Sequence, residues 1–441
     1  DTFLDATELA DDAKDTAEDF DENRSAGSLS TFGSAPTLRI SALVDGTTDD
    51  LVLGAVVEDV LDTLDDDSDL DTSEVLATLA FDYGLLNRGS IAADGLNEGF
   101  SATAISISGA TDGSRSVVIE GGLFNSGSIS ADAVEGNATS IYLGDFTQLD
   151  TLINEGSIGA QSESTTATQA IAVQISNQGQ LNSLINSGVI VASSLGDDAA
   201  AIAIQDASGT LASIENRGAI AANATIRDEI GLSSAVAIDL STHSAAQPIF
   251  LLQERLTPTD DINGDGEIDN DDVRTPSILG DIYFGAGADT ANLSAGTITA
   301  STFDFGAGVD ELLLSGNASM IASVQNLENL SLDTASLEIT SVSPTTLESL
   351  DLINDSNLTI TLDLNDIDPA IAQIQVAGNA VIDASSTITT KYVGFQNDLF
   401  SALLIEAADL NFGDLNLALE LEVPAIYTQV VTANNTSVSI A

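Results

Sequence analysis

The sequence predicts an all-β protein, a parallel β-helix (solenoid) with a partly helical acidic N-terminal segment and a C-terminal β cap. Three observations carry this. A five-fold Asn-x-Gly-x-Ile repeat runs through the first half of the chain, and apolar residues alternate with polar ones between its copies. The apolar residues are also mostly small or branched. They make up 43% of the 441 residues, yet aromatics are only 4% and Trp is absent. Such side chains suit a narrow, layered interior better than a broad globular core.

The repeat occurs as Asn87-Arg-Gly-Ser-Ile91, Asn125-Ser-Gly-Ser-Ile129, Asn154-Glu-Gly-Ser-Ile158, Asn186-Ser-Gly-Val-Ile190 and Asn216-Arg-Gly-Ala-Ile220, in steps of 38, 29, 32 and 30 residues. Alternating stretches such as Ala170-Ile-Ala-Val-Gln-Ile175 and Ala200-Ala-Ile-Ala-Ile204 lie between copies, and a short strand such as Leu184-Ile185 precedes each Asn. A unit of three short period-2 segments cannot bury its own apolar face, but stacked units can. Stacking puts Ile91, Ile129, Ile158, Ile190 and Ile220 in one internal ladder and the asparagines in another, with Asn-x-Gly supplying a positive-φ corner.

Residues 1–80 are expected to form an acidic N-terminal segment: a helical cap, an element exchanged between subunits, or a partly mobile arm. Asp11-Asp12 and Asp65-Asp-Asp-Ser-Asp69 are acidic clusters, and Leu53-Gly-Ala-Val-Val-Glu-Asp-Val-Leu61 carries apolar residues at helical spacing. Residues 81–250 are expected to be solenoid with coils of about 30 residues. Residues 251–280 read as an insertion. From 281 to 380 the repeat tightens: Tyr283-Phe-Gly-Ala-Gly-Ala-Asp289 returns as Asp304-Phe-Gly-Ala-Gly-Val-Asp310, 21 residues later. Residues 381–441 lose the repeat but keep alternation, as in Leu415-Asn-Leu-Ala-Leu-Glu-Leu421, and are expected to cap the open end.

The charge is extreme, with 10 Lys+Arg against 69 Asp+Glu for a net −59. Such a surface repels phosphate backbones, so nucleic acid is excluded as a partner, and cations are its natural counterions. A halophilic cytoplasmic protein is the competing reading of this charge. The chain has no Cys, hence no disulfide or thiol chemistry. It has no apolar run of the roughly 20 residues that a membrane-spanning helix needs, so no membrane insertion of this chain is expected. Opening on Asp1, it reads as a processed, mature chain.

One motif carries chemistry. Asp261, Asn263, Asp265, Glu267, Asp269 and Asp272 place oxygen ligands at the spacing of a twelve-residue calcium loop, with Gly266 at its sharp turn and Ile268 at its apolar position. The segment resembles a dockerin or EF-hand loop and is expected to bind Ca²⁺. It stands alone, so a dockerin's partner is not carried over. The Gly285-x-Gly287-x-Asp289 and Gly306-x-Gly308-x-Asp310 stretches read as solenoid corners, partly similar to the glycine-aspartate repeats of calcium β-rolls. His243 is the only histidine, and no catalytic set built on it is convincing.

Taken with the segment from Val423 to Ile440, the repeats resemble passenger domains of bacterial autotransporters. That resemblance implies an extracellular or cell-surface location and a passenger from which the membrane barrel has been removed. The expected function is a structural or adhesive solenoid, not an enzyme, that forms a homo-oligomer or a calcium-stabilised filament, sheath or layer. Alternatives are a secreted polysaccharide lyase or hydrolase, or a monomeric adhesin binding a surface glycan on a neighbouring cell. A lyase needs a Lys or Arg base, and the chain offers Lys14, Lys391 and eight arginines.

Overall fold

The computed structural model describes residues 27–42, 44, 48–62, 74–164, 168–226, 233–258, 268–269, 273–394, 400–412 and 431–440. Among these every regular element is a strand, in one 19-stranded sheet, one 17-stranded sheet and a two-stranded hairpin. Both large sheets are built by parallel pairing between successive turns of the chain, the signature of a solenoid.

A typical coil uses three strands. Ser128–Val134 and Ala138–Leu143 belong to the larger sheet and Thr147–Asn154 to the smaller one; the chain then re-enters the larger sheet at Ser157–Glu163, directly beside its starting strand. The expected isoleucine ladder forms. Ile91 pairs with Ile129, then Ile158, Ile190 and Ile220 follow in register, and the column continues through Ile278, Ile298, Met320, Leu337, Leu358 and Ile388. All of these are buried. Ala93, Ala131, Ala160, Ala192 and Ala222 form a second, thinner row two residues on. These alanines are buried as well, so a whole interior row is filled by methyl groups, in keeping with a composition rich in small residues and poor in rings.

The glycines of the repeat do a different job from the one expected. Gly89, Gly127, Gly156, Gly188 and Gly218 are absent from the residues with positive φ. They are needed because coils touch there: a Cβ on Gly127 would run into the carbonyl oxygen of Gly89, one on Gly156 into Gly127, and one on Gly188 into Gly156. The constraint is close approach of two backbones rather than a left-handed turn.

The helical reading of the acidic N-terminal segment is corrected within the described residues. Ser28–Phe32 pairs with the strand beginning at Ser90, Leu38–Ser41 with Ile105–Ser108, and Leu51–Leu53 with Val117–Ile119, so a first coil lies inside residues 1–80. Val57–Asp62 and Glu74–Ala80 then form an antiparallel hairpin. Leu51 and Leu53 pack on the core while Val52 between them is exposed, and this period of two overrides the helical spacing. The run is rich in Val, whose branched side chain favours strands.

After residue 277 the coils shorten because two strands fuse into one. Thr297–Asp304 pairs with both Ser277–Leu279 and Asp281–Tyr283, with an irregularity between Thr299 and Thr302 where the former corner lay. At the far end Ala402–Phe412 is the last parallel strand among the described residues, and the antiparallel pair Val431–Asn434 and Ser437–Ile440 lies against it. That reversal closes one side of the terminal edge.

Candidate functional site

In sequence the predicted calcium loop falls between the strands Phe250–Gln253 and Ser277–Leu279. Asp261, Asn263, Asp265, Glu267 and Asp272 lie outside the described residues; Asp269 is described and exposed. Among the described residues no three His, Asp or Glu side chains are grouped to hold a metal.

The asparagine ladder is fully formed. Each side-chain amide donates to the Oδ1 of the next coil's asparagine: Asn87 to Asn125 at 2.6 Å, Asn125 to Asn154 at 2.7 Å, Asn154 to Asn186 at 2.8 Å and Asn186 to Asn216 at 2.9 Å. Asn216 then donates to Gln253 Oε1 at 3.1 Å, so a glutamine replaces the motif at the sixth rung. Every rung from Asn125 to Gln253 is completely buried. With each donor and acceptor committed to its neighbours, the ladder is structural.

The chemistry missed at the sequence level lies at another corner, where the chain passes from the larger sheet to the smaller. Five titratable groups from successive coils line up there: Asp206, His243, Asp289, Asp310 and Glu328. His243 Nε2 lies 2.9 Å from Asp206 Oδ2, and both side chains are buried. Asp206 also accepts from the Ser208 hydroxyl and from the backbone N–H groups of Ser208 and Leu211. Burial pushes its carboxyl up, but the bonds from His243, Ser208 and Leu211 outweigh this and hold it below the usual Asp range.

Asp289 and Asp310 come from the two Gly-x-Gly-x-Asp stretches and behave in the opposite way. Asp289 Oδ1 accepts from Ile249 N–H at 2.8 Å, Asp310 Oδ1 accepts from Asp289 N–H at 2.7 Å, and Glu328 Oε2 accepts from Asp310 N–H at 2.8 Å. Each carboxylate thus bonds the coil on its N-terminal side. The Oδ2 atoms of Asp289 and Asp310 are buried and meet no hydrogen-bond donor. Burial raises both carboxyls, Asp310 to about 6, with Asp289 and Glu328 adding like-charge repulsion on Asp310. The stretches are therefore solenoid corners, as expected, whose aspartates face inward. The 21-residue spacing was the available signal, because it places identical corners on adjacent coils.

Past Glu328 the column opens into a cleft of about 470 Å³ lined by Glu328, Glu348, Gln375 and Glu406 with small apolar residues. It forms where strand Ile374–Ile382 breaks register between Val376 and Asn379. Three glutamates around one concavity focus a negative potential that draws cations. No family model, no curated protein and no solved structure matches the chain.

Proposed function

We propose that the protein is a structural or adhesive solenoid of the cell exterior that assembles with copies of itself in a calcium-dependent way. The observation that supports this most directly is the continuous in-register column from Ile91 to Ile388, because such a stack is a stiff rod. Its charge of −59 makes side-by-side association of rods depend on bound or screening cations. The first coil supplies an edge: among the described residues Ser28–Phe32, Leu38–Ser41 and Leu51–Leu53 pair on one side only, and Leu29 and Phe32 are exposed there. Unpaired strands of this kind template further pairing.

Mass photometry over a concentration series, with calcium and with excess EDTA, tests the reading. Calcium-dependent growth beyond monomer is expected. A particle that stays monomeric in calcium, or one whose assembly and melting temperature ignore EDTA, overturns it. The glutamate cleft favours a second reading, a carboxylate-pair glycoside hydrolase. Release of reducing sugar from polysaccharides, lost in Glu348→Gln, would establish that one.

A further inference from the structure

We propose that the stacked corners of Asp289 and Asp310 form a proton-held seam, closed while these carboxyls are protonated and loosened when they ionise. The inference rests on the fold and stands apart from the assembly reading.

A buried carboxylate needs donors for both oxygens. Here each aspartate has a single donor, an N–H on Oδ1, while Oδ2 is enclosed without one. One N–H bond favours the ionised form, but burial opposes it, and the seam stacks like charges along one line. A proton on Oδ2 removes the charge and leaves both Oδ1 bonds intact. The contact between Asp310 and Glu328 works in the same direction, because two carboxyls attract only with a proton between them.

The other charged groups at this corner do not neutralise the seam. On its N-terminal side His243 draws Asp289 toward its ionised form, yet the ring is committed to Asp206, and Asp289 remains raised. Asp304, at the entry of the second corner, turns to Gly306 N–H and Asn326 Nδ2, and Glu311 at its exit is exposed. Glu348, beyond Glu328, is a further negative charge.

The linkage has a definite sign. A carboxyl raised in the folded state contributes stability that is present at acid pH and lost as pH climbs from about 3.8 to about 6 for Asp310. Hydrogen exchange reads this at the N–H groups of Ile249, Asp289 and Asp310, which donate along the seam. After correction for intrinsic rates, protection of the Asp289 N–H, which donates to Asp310, should fall by up to about a hundredfold between about pH 4 and about pH 7, one decade per pKa unit, and that of the Ile249 N–H should fall in the same direction. In Asp310→Asn, which mimics the protonated state of that corner, the fall should be markedly smaller, with only the part set by Asp289 remaining. Asp351→Asn removes one exposed charge elsewhere and should track the wild type.

Wild-type protection that does not change with pH overturns the proposal. So does Asp351→Asn flattening the profile as much as Asp310→Asn, since overall charge would then be the cause. Should Asp310→Asn fail to fold, the infrared carboxylic-acid band of the wild type decides. Its persistence at about pH 5, below the value of about 6 for Asp310, supports the seam, and its absence overturns it.

Discussion

Asn154 donates its side-chain amide to Asn186 Oδ1 at 2.8 Å and accepts the amide of Asn125 at 2.7 Å, so one residue joins three successive coils. Removing it leaves a buried donor above and a buried acceptor below. Asn154→Ala should cost about 1–3 kcal/mol, read from the midpoint of urea unfolding. Asn87→Ala should cost less, because Asn87 is slightly exposed and bonds an asparagine on one side only. Equal losses would mean that the ladder acts rung by rung and not as a chain.

Two glycines of different kinds give a second comparison. Gly156 has no positive φ, but a Cβ there would strike the backbone of Ser126 and Gly127. Gly99 has a φ of +82° and open space around its missing Cβ. Gly99→Ala should cost only the strain of a left-handed residue, about 1–2 kcal/mol. Gly156→Ala should cost more, because two coils must separate to admit it. Melting temperatures of the two variants rank the effects, and the reverse order would refute close approach as the reason for the repeat's glycine.

Coil spacing, the isoleucine ladder and the asparagine ladder were legible in the sequence, because side chains that stack on themselves must recur with the repeat. The segment around Leu53 was misread as helix. Its partner strand, Val117–Ile119, lies more than sixty residues away and outside any local pattern. The partnership of His243 with Asp206 was invisible for the same reason: 37 residues separate them, and nothing in either neighbourhood names the other. The inward aspartates were half legible. Gly-x-Gly-x-Asp marked two equivalent corners, but only the stacked coils show which way the carboxyls face.

The calcium loop gives a third prediction, on residues outside those described. Six oxygen-bearing side chains at the spacing of Asp261 to Asp272 should bind one Ca²⁺. Isothermal titration should give a single site, lost in the double variant Asp261→Ala, Asp265→Ala. Because a bound ion stabilises only the folded chain, calcium should raise the melting temperature of the wild type and not of the variant. An unchanged titration in the variant would move calcium binding away from this loop.

Asp206 provides the last prediction, through its contrast with Asp310. Both are buried corner carboxyls, four coils' worth of one column contains them, and their surroundings push them in opposite directions. Asp206 is held below the ordinary Asp value, so its contribution is present above about pH 3.8 and is lost as the pH falls below that. Asp310, raised to about 6, loses its contribution as the pH rises from about 3.8 toward 6. Removing Asp206 strands His243 and the N–H groups of Ser208 and Leu211, so Asp206→Ala should cost about 3 kcal/mol near neutral pH. That penalty should shrink in strong acid, where the wild-type carboxyl is itself protonated. Urea unfolding of Asp206→Ala and Asp310→Asn across the acid range should therefore give difference curves of opposite slope. Parallel slopes would mean that net charge, and not the donors around each carboxyl, sets the acid response of the rod.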